Sequence, residues 1–212
     1  MSRVDAPDTI AKHRLLPVIA LRDSADAAPL GEALLEGGLP VAEVTFRTDA
    51  AAASIDAMCR LGGLLVGAGT VVKPDQVDAA HDAGASFIVS PGTSPAVVER
   101  AQKLGLPIFP GVATPTDIQL ALSLGLDTLK FFPAEAMGGV NTLKALAAPF
   151  PGVRFVPTGG IGLSNIDEYL SLPCVRACGG SWMVAPKLYA HGGFAEVVRV
   201  VRQAVTAVAG SN

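Results

Sequence analysis

Lys130 stands alone in an apolar run, Thr128-Leu-Lys-Phe-Phe-Pro-Ala-Glu135, and its type is at odds with its neighbours. If Leu129, Phe131 and Phe132 are core residues, the ammonium is partly desolvated, which favours the neutral amine. A neutral amine is a nucleophile toward a ketone or aldehyde carbonyl, and the product is an imine. The competing reading is a lysine at a strand end whose methylene stem carries the charge out to water. Val41-Ala-Glu-Val-Thr-Phe-Arg-Thr48 holds a second such case. Strand side chains alternate, so Glu43, Thr45 and Arg47 share one side while Ala42, Val44 and Phe46 share the other. The apolar set suits a helix layer, which leaves Glu43 and Arg47 facing inward, where charge is costly unless paired or used. The same alternation turns Lys130 inward with Thr128 and Phe132. An inward amine and an inward carboxylate on different strands suit Schiff-base chemistry, with the carboxylate moving protons. They equally suit a buried structural ion pair.

The elements that must position these side chains follow a repeated phrase: a helical segment usually ending in Gly, a short apolar run, then small or polar turn residues. Eight runs occur, starting at Leu15, Gly37, Gly62, Gly84, Gly105, Gly125, Gly152 and Val175, roughly 20 to 27 residues apart. The Gly before all but the first and last suits a left-handed helix C-cap. Runs rich in Val, Ile, Leu and Phe with helices between them predict a parallel sheet buried on both faces. Eight units in one chain predict a single-domain α/β fold, a closed (β/α)8 TIM barrel over residues 14–212, with residues 1–13 as a short helix or arm outside the repeat. No G-x-G-x-x-G follows the first run, which disfavours a dinucleotide fold. A Ser24 cap, a Pro74 first turn, and Ile118, Leu120 and Leu124 at helical spacing support the intervening helices, and residues 194–208 read as a final amphipathic helix.

In a barrel of this kind chemistry collects at the carboxyl ends of the strands. Gly67-Ala-Gly-Thr70 offers backbone amides and a hydroxyl to a carboxylate or carbonyl oxygen. Thr158-Gly-Gly160 and Gly179-Gly-Ser181 close the seventh and eighth runs, where bare backbone N–H groups suit a phosphate; each is also an ordinary tight-turn sequence. Arg22, after the first run, adds a charge to that phosphate or forms a rim salt bridge. His13, His81 and His191 fall outside the strand ends and read as surface residues. No His/Asp/Glu cluster with metal spacing appears, so the residues suggest no metal-dependent enolisation.

Composition narrows the classes further. With 212 residues, half of them hydrophobic, the chain can bury one substantial core. A net charge of −3 without a Lys/Arg cluster leaves no basic face for nucleic acid. Cys59, Cys174 and Cys178 are odd in number and sit in apolar or helical contexts, as reduced packing residues do. No stretch approaches ~18 uninterrupted apolar residues, so a soluble cytoplasmic protein without membrane partners is expected.

With these residues in place, the sequence resembles the 2-keto-3-deoxy-6-phosphogluconate (KDPG) aldolases, class I aldolases that also act as 4-hydroxy-2-oxoglutarate (KHG) aldolases. The resemblance runs from about Leu15 to Val184. It rests on LPVIALR, EVTFRT around Glu43 and Arg47, VGAGTV around Thr70, SPGT at Ser90–Thr93, FPGVAT, LKFFPAE around Lys130, PTGGI at 157–161 and GGSW at Gly179–Trp182. It implies a homotrimer in which Lys130 forms an imine with C2 of the keto acid and Glu43 is the acid/base. It also implies that Arg47 and Thr70 hold the pyruvate carboxylate and that Pro91 and Phe132 wall the pyruvyl pocket. Thr158 would assist near the imine or hydroxyls, and Gly159, Gly160 and Ser181, with Arg22, would hold the 6-phosphate. Lysine supplies the electron sink, so no cofactor is implied; the partners are a phosphorylated keto acid and pyruvate. The rival readings are a phosphosugar epimerase or isomerase on the same barrel, and a non-catalytic phosphate-ligand binder.

Overall fold

The computed structural model describes residues 6–190 and 193–210. His191, read above as a surface residue, lies outside them. Strands and helices alternate along the chain: α1 (Ala6–His13), β1 (Leu15–Ile19), α2 (Ala27–Glu36), β2 (Val41–Thr45), α3 (Ala51–Arg60), β3 (Leu65–Gly69), α4 (Pro74–Asp82), β4 (Ile88–Val89) and α5 (Pro95–Lys103). Then follow β5 (Ile108–Phe109), β6 (Gly111–Val112), α6 (Pro115–Ser123), β7 (Thr128–Phe131), α7 (Gly139–Ala147), β8 (Arg154–Phe155), α8 (Ile166–Leu170), β9 (Cys178–Gly180) and α9 (Ala195–Ala209). The fold is α/β with all-parallel pairing, in a six-stranded sheet ordered β5-β4-β3-β2-β1-β9 and a three-stranded sheet ordered β6-β7-β8.

The fifth apolar run forms two short strands because Pro110 interrupts it; proline has no N–H to give to a ladder. Its carbonyl still accepts from the Lys130 amide at 2.9 Å. Beyond β8, single bridges pair Phe155 with Val175 and Thr158 with Gly179, and the Gly179 amide donates to the Pro157 carbonyl at 2.8 Å.

Alternation divides the core in two. Ala42, Val44, Leu129 and Phe131 face the helices within the larger apolar cluster. Leu16, Val41, Leu65, Phe87, Val89, Phe109 and Val156 fill the other side, where Phe87 and Phe109 meet edge to face with centroids 5.9 Å apart. Helix α1 closes the amino end of this inner layer with buried Ala6 and Ile10, and the Arg14 guanidinium after it donates to the Leu170 carbonyl at 2.8 Å. The inner layer is therefore apolar at the amino ends of the strands, which leaves the carboxyl ends for polar groups.

Three local expectations are corrected. Asp23, not Ser24, caps the second helical segment: its carboxylate accepts from the Ala25 amide, Ser24 lies in a 3-10 turn, and α2 begins at Ala27. The turn has to be taken before the helix can start, and the acceptor precedes it. Leu120 is exposed, because α6 turns Ile118 and Ala121 to the core. Gly62, Gly84, Gly105 and Gly125 are left-handed as expected, whereas Gly37 and Gly152 are not; in the second run the left-handed residue is Gly38, one position on. Among the described residues no helix is long and apolar enough to cross a membrane.

Candidate active site

β7 carries Lys130 into the space enclosed by the strands, with only 5% of the residue exposed. Its Nζ lies 3.4 Å from Glu43 Oε1 and 5.0 Å from the centroid of the Phe132 ring. Glu43, on β2, is fully buried, and its second oxygen, Oε2, has no hydrogen-bond partner. A buried carboxylate with an open lone pair is costly. It is also available to accept a proton or bind a hydroxyl of whatever enters.

Glu43 fits there because its neighbour has no side chain. Thr45 pairs with Gly69 across β2 and β3, and a Cβ at Gly69 would stand 2.6 Å from Glu43 Cγ, with the carboxylate closer still. At the next residue, Thr70 has a φ of 55°, a conformation a β-branched residue adopts only at a cost of roughly 1–3 kcal/mol. The end of β3 is thus bent to place Thr70 on the cavity wall.

The cavity at the carboxyl ends has a volume of about 350 Å3. Arg47, Thr70, Pro91, Lys130, Phe132, Thr158, Gly159, Gly160 and Ser181 all line it, so nine of the expected site residues meet in one place. Glu43 sits behind Lys130, in contact with it rather than on the wall. Arg22 is the one expected residue the structure leaves apart: it is exposed beyond β1 and does not line the cavity. Val18, Ile161, Gly179 and Gly180 complete the wall. Val18 was legible, since it shares its side of β1 with inward Leu16.

The walls differ in chemistry. Arg47 is exposed at one side and makes no ion pair among the described residues, so its charge is free for an anion. Elsewhere on the wall, Gly159 and Gly160 are left-handed, with φ of 104° and 79°, and present bare backbone. Gly179 lacks a Cβ where Thr158 packs, and Gly180 where the Trp182 ring lies. The Pro91 wall is fixed by Ser90, whose hydroxyl donates to the Gly92 carbonyl, and by Thr93, whose hydroxyl donates to the Gly111 carbonyl. A larger depression, about 770 Å3, lies at the opposite ends of the strands beside α1, but its lining, which includes Thr9, His81 and Ser86, pairs no acid with a base. Among the described residues no three His, Cys, Asp or Glu gather as a metal site.

A buried amine touching a buried carboxylate at the mouth of a parallel α/β fold suits imine chemistry, and residues 7–200 match the family described as KDPG and KHG aldolase. The chain belongs to the KDPG and KHG aldolase family. Among aldolases of this family, it is 46% identical to the 2-dehydro-3-deoxy-phosphogluconate aldolase of Treponema pallidum over 95% of this chain and 96% of that one. The crystal structure of the Zymomonas mobilis KDPG aldolase with 3-phosphoglycerate superposes with a TM-score of 0.88 at 40% identity, covering 94% of this chain and 95% of that one. The Legionella pneumophila KDPG aldolase, with pyruvate captured at low pH as a covalent carbinolamine intermediate, gives 0.90 at 38%, covering 94% and 98%.

Sequence reasoning assigned the glycines of the third strand to ligand binding and missed that Gly69 makes room for the aldolase carboxylate. The signal was present: a glycine inside a strand marks close approach by another group.

Proposed function

We propose that this chain is a class I aldolase that cleaves 2-keto-3-deoxy-6-phosphogluconate to pyruvate and D-glyceraldehyde 3-phosphate, and 4-hydroxy-2-oxoglutarate to pyruvate and glyoxylate. The observation that carries this reading is the 3.4 Å contact between Lys130 Nζ and Glu43 Oε1, buried beside a cavity whose lining includes a free arginine and two left-handed glycines.

Glu43 takes a proton from Lys130, and the neutral amine attacks C2 of the keto acid to give a carbinolamine. Glu43 returns that proton to the carbinolamine hydroxyl, which departs as water, leaving a protonated imine, an electron sink, and Glu43 again ionised. Glu43 then accepts the proton of the C4 hydroxyl, the C3–C4 bond breaks, and its electron pair moves to C3 as an enamine while the aldehyde leaves. Glu43 or a water it orients returns the proton to C3. Hydrolysis releases pyruvate and frees Lys130. Arg47 and Thr70 hold the carboxylate, Pro91 and Phe132 enclose the pyruvyl group, and Thr158 lies beside the imine. Gly159, Gly160 and Ser181 bind the phosphate. No metal or organic cofactor enters these steps.

The two sheets are two parts of one (β/α)8 barrel. The shared run of β5 and β6 around Pro110 supports this, as do the bridges from β8 to β9. Among the described residues, those from Arg14 onward make up the barrel domain and α1 its arm. The family resemblance supports a cytoplasmic homotrimer. A phosphosugar isomerase on the same barrel would leave Lys130 without an electrophile.

Intact-mass measurement after incubation with pyruvate and sodium borohydride, followed by peptide mapping, tests the proposal. A reduced pyruvyl adduct on Lys130 is expected. A folded sample without one excludes the imine mechanism.

A further inference from the structure

Two side chains that do not line the cavity flank the turn that does, and a third holds one of them in place. Asn165, just before α8, donates from Nδ2 to the Gly160 carbonyl at 3.2 Å and accepts from the Gly162 amide at 2.9 Å. On the other side, the Glu135 amide donates to the Gly159 carbonyl at 3.0 Å, and the Ala134 amide to the Thr158 carbonyl at 2.8 Å, continuing the pairing of β7 with its neighbour past Phe131. The Glu135 methylenes lie against Gly160: a Cβ there would be 2.5 Å from Cγ and 2.6 Å from Cβ of Glu135. The Glu135 carboxylate accepts from the hydroxyl of buried Tyr169, four residues after Asn165. Gly139 leaves space for this pair, since a Cβ at that position would stand 3.1 Å from the carboxylate and 3.3 Å from the hydroxyl.

Two consecutive left-handed glycines have little intrinsic preference for this conformation, so outside contacts must impose it. Amides bind an anion well only when they are oriented before it arrives. We infer that Asn165, Glu135 and Tyr169 clamp the Gly159–Gly160 turn in its phosphate-binding conformation and thereby set the preference of this aldolase for phosphorylated over unphosphorylated 2-keto acids. The inference rests on the proposed function, with the phosphate at Gly159, Gly160 and Ser181. The three are positioning residues; none touches the reacting atoms. The Tyr169 phenol is held protonated well above its usual range, first by burial and then by Glu135, as a permanent donor to that carboxylate would be.

The test is steady-state cleavage of KDPG and of 4-hydroxy-2-oxoglutarate by wild type, Tyr169→Phe, Asn165→Ala and Glu135→Gln, with folding checked by circular dichroism. Tyr169→Phe, which loses one ordering hydrogen bond, and Asn165→Ala, which loses two, are each expected to raise KM for the phosphorylated acid by roughly 5- to 10-fold. Their kcat on that acid, and KM for the unphosphorylated one, should stay within about twofold of wild type. Glu135→Gln still accepts from Tyr169 and should keep most of the preference. If Tyr169→Phe does not fold, Asn165→Ala gives the same readout from the other side of the turn. Equal losses on both acids, or an unchanged KM ratio in folded variants, overturn the clamp alone. A wild type with no preference for the phosphorylated acid overturns the phosphate assignment itself, and the clamp with it.

Discussion

Lys130 and Glu43 are 87 positions apart in the chain and 3.4 Å apart in space, one on β7 and the other on β2. Register builds this contact. Each residue sits on the inner side of its strand by simple alternation, and the apolar layer beneath them keeps both at the same end.

Lys130→Arg keeps a cation beside Glu43 but removes the nucleophile, because the guanidinium stays protonated. Turnover of both keto acids should fall to background while the melting temperature stays near wild type. Residual aldol cleavage in a pyruvate-release assay would remove Lys130 from the chemistry.

Glu43→Gln should retain the imine and slow proton transfer by ~10²–10⁴. Borohydride trapping with pyruvate would still label Lys130, and NMR would record slower exchange of the pyruvate methyl protons. An unchanged exchange rate would point to a different base.

Gly69→Ala places a methyl group against Glu43 and displaces its carboxylate without altering either reacting residue. The expected result is a fall in kcat of on the order of 10-fold or more, with a stability loss of about 1–3 kcal/mol, typical of overpacking. Wild-type activity in this variant would mean that Glu43 can act from another position.

Ile10→Ala tests the separation of floor from mouth. Ile10 is 1% exposed under the inner layer, and its truncation should cost about 2–5 kcal/mol in chemical denaturation while kcat/KM stays near wild type at 25 °C.

Stability should also decline in alkali. Burial, then the Asp56 charge, pushes the Cys59 thiol up to about 11, and burial pushes Cys178 up as well. The unfolded thiols ionise from their ordinary value near 9.0, so the stabilisation is complete below that pH and is lost as pH rises toward the folded values. Melting temperatures should drop between pH 9 and 11, and less so for Cys59→Ala.

The sequence carried the repeat, the strand parity and the strand-end motifs, because these depend on short-range spacing. Alternation alone therefore turns Glu43, Arg47 and Lys130 to the inward side. What it could not carry was distance across strands. Gly69 reads like any other glycine until Glu43 is seen beside it, and Arg22 follows its motif yet stays outside the cavity. Leu120 fits a helical period, but periodicity does not say which of two overlapping apolar stripes packs; Ile118 and Ala121 took the core. Asn165 and Tyr169 gave no signal, because their partners lie at the end of the sixth run, at Glu135, or in the turn itself.

The apolar layer around Phe87, Phe109 and Ile10 has a consequence for how such an enzyme diversifies. Structural integrity is vested at one end of the strands and the proposed site at the other, so mutations at Thr158 or Ser181 explore new electrophiles without eroding the foundation. Random libraries confined to the mouth should therefore yield a higher proportion of folded, altered-scope variants than libraries spread over the same number of inner-layer positions.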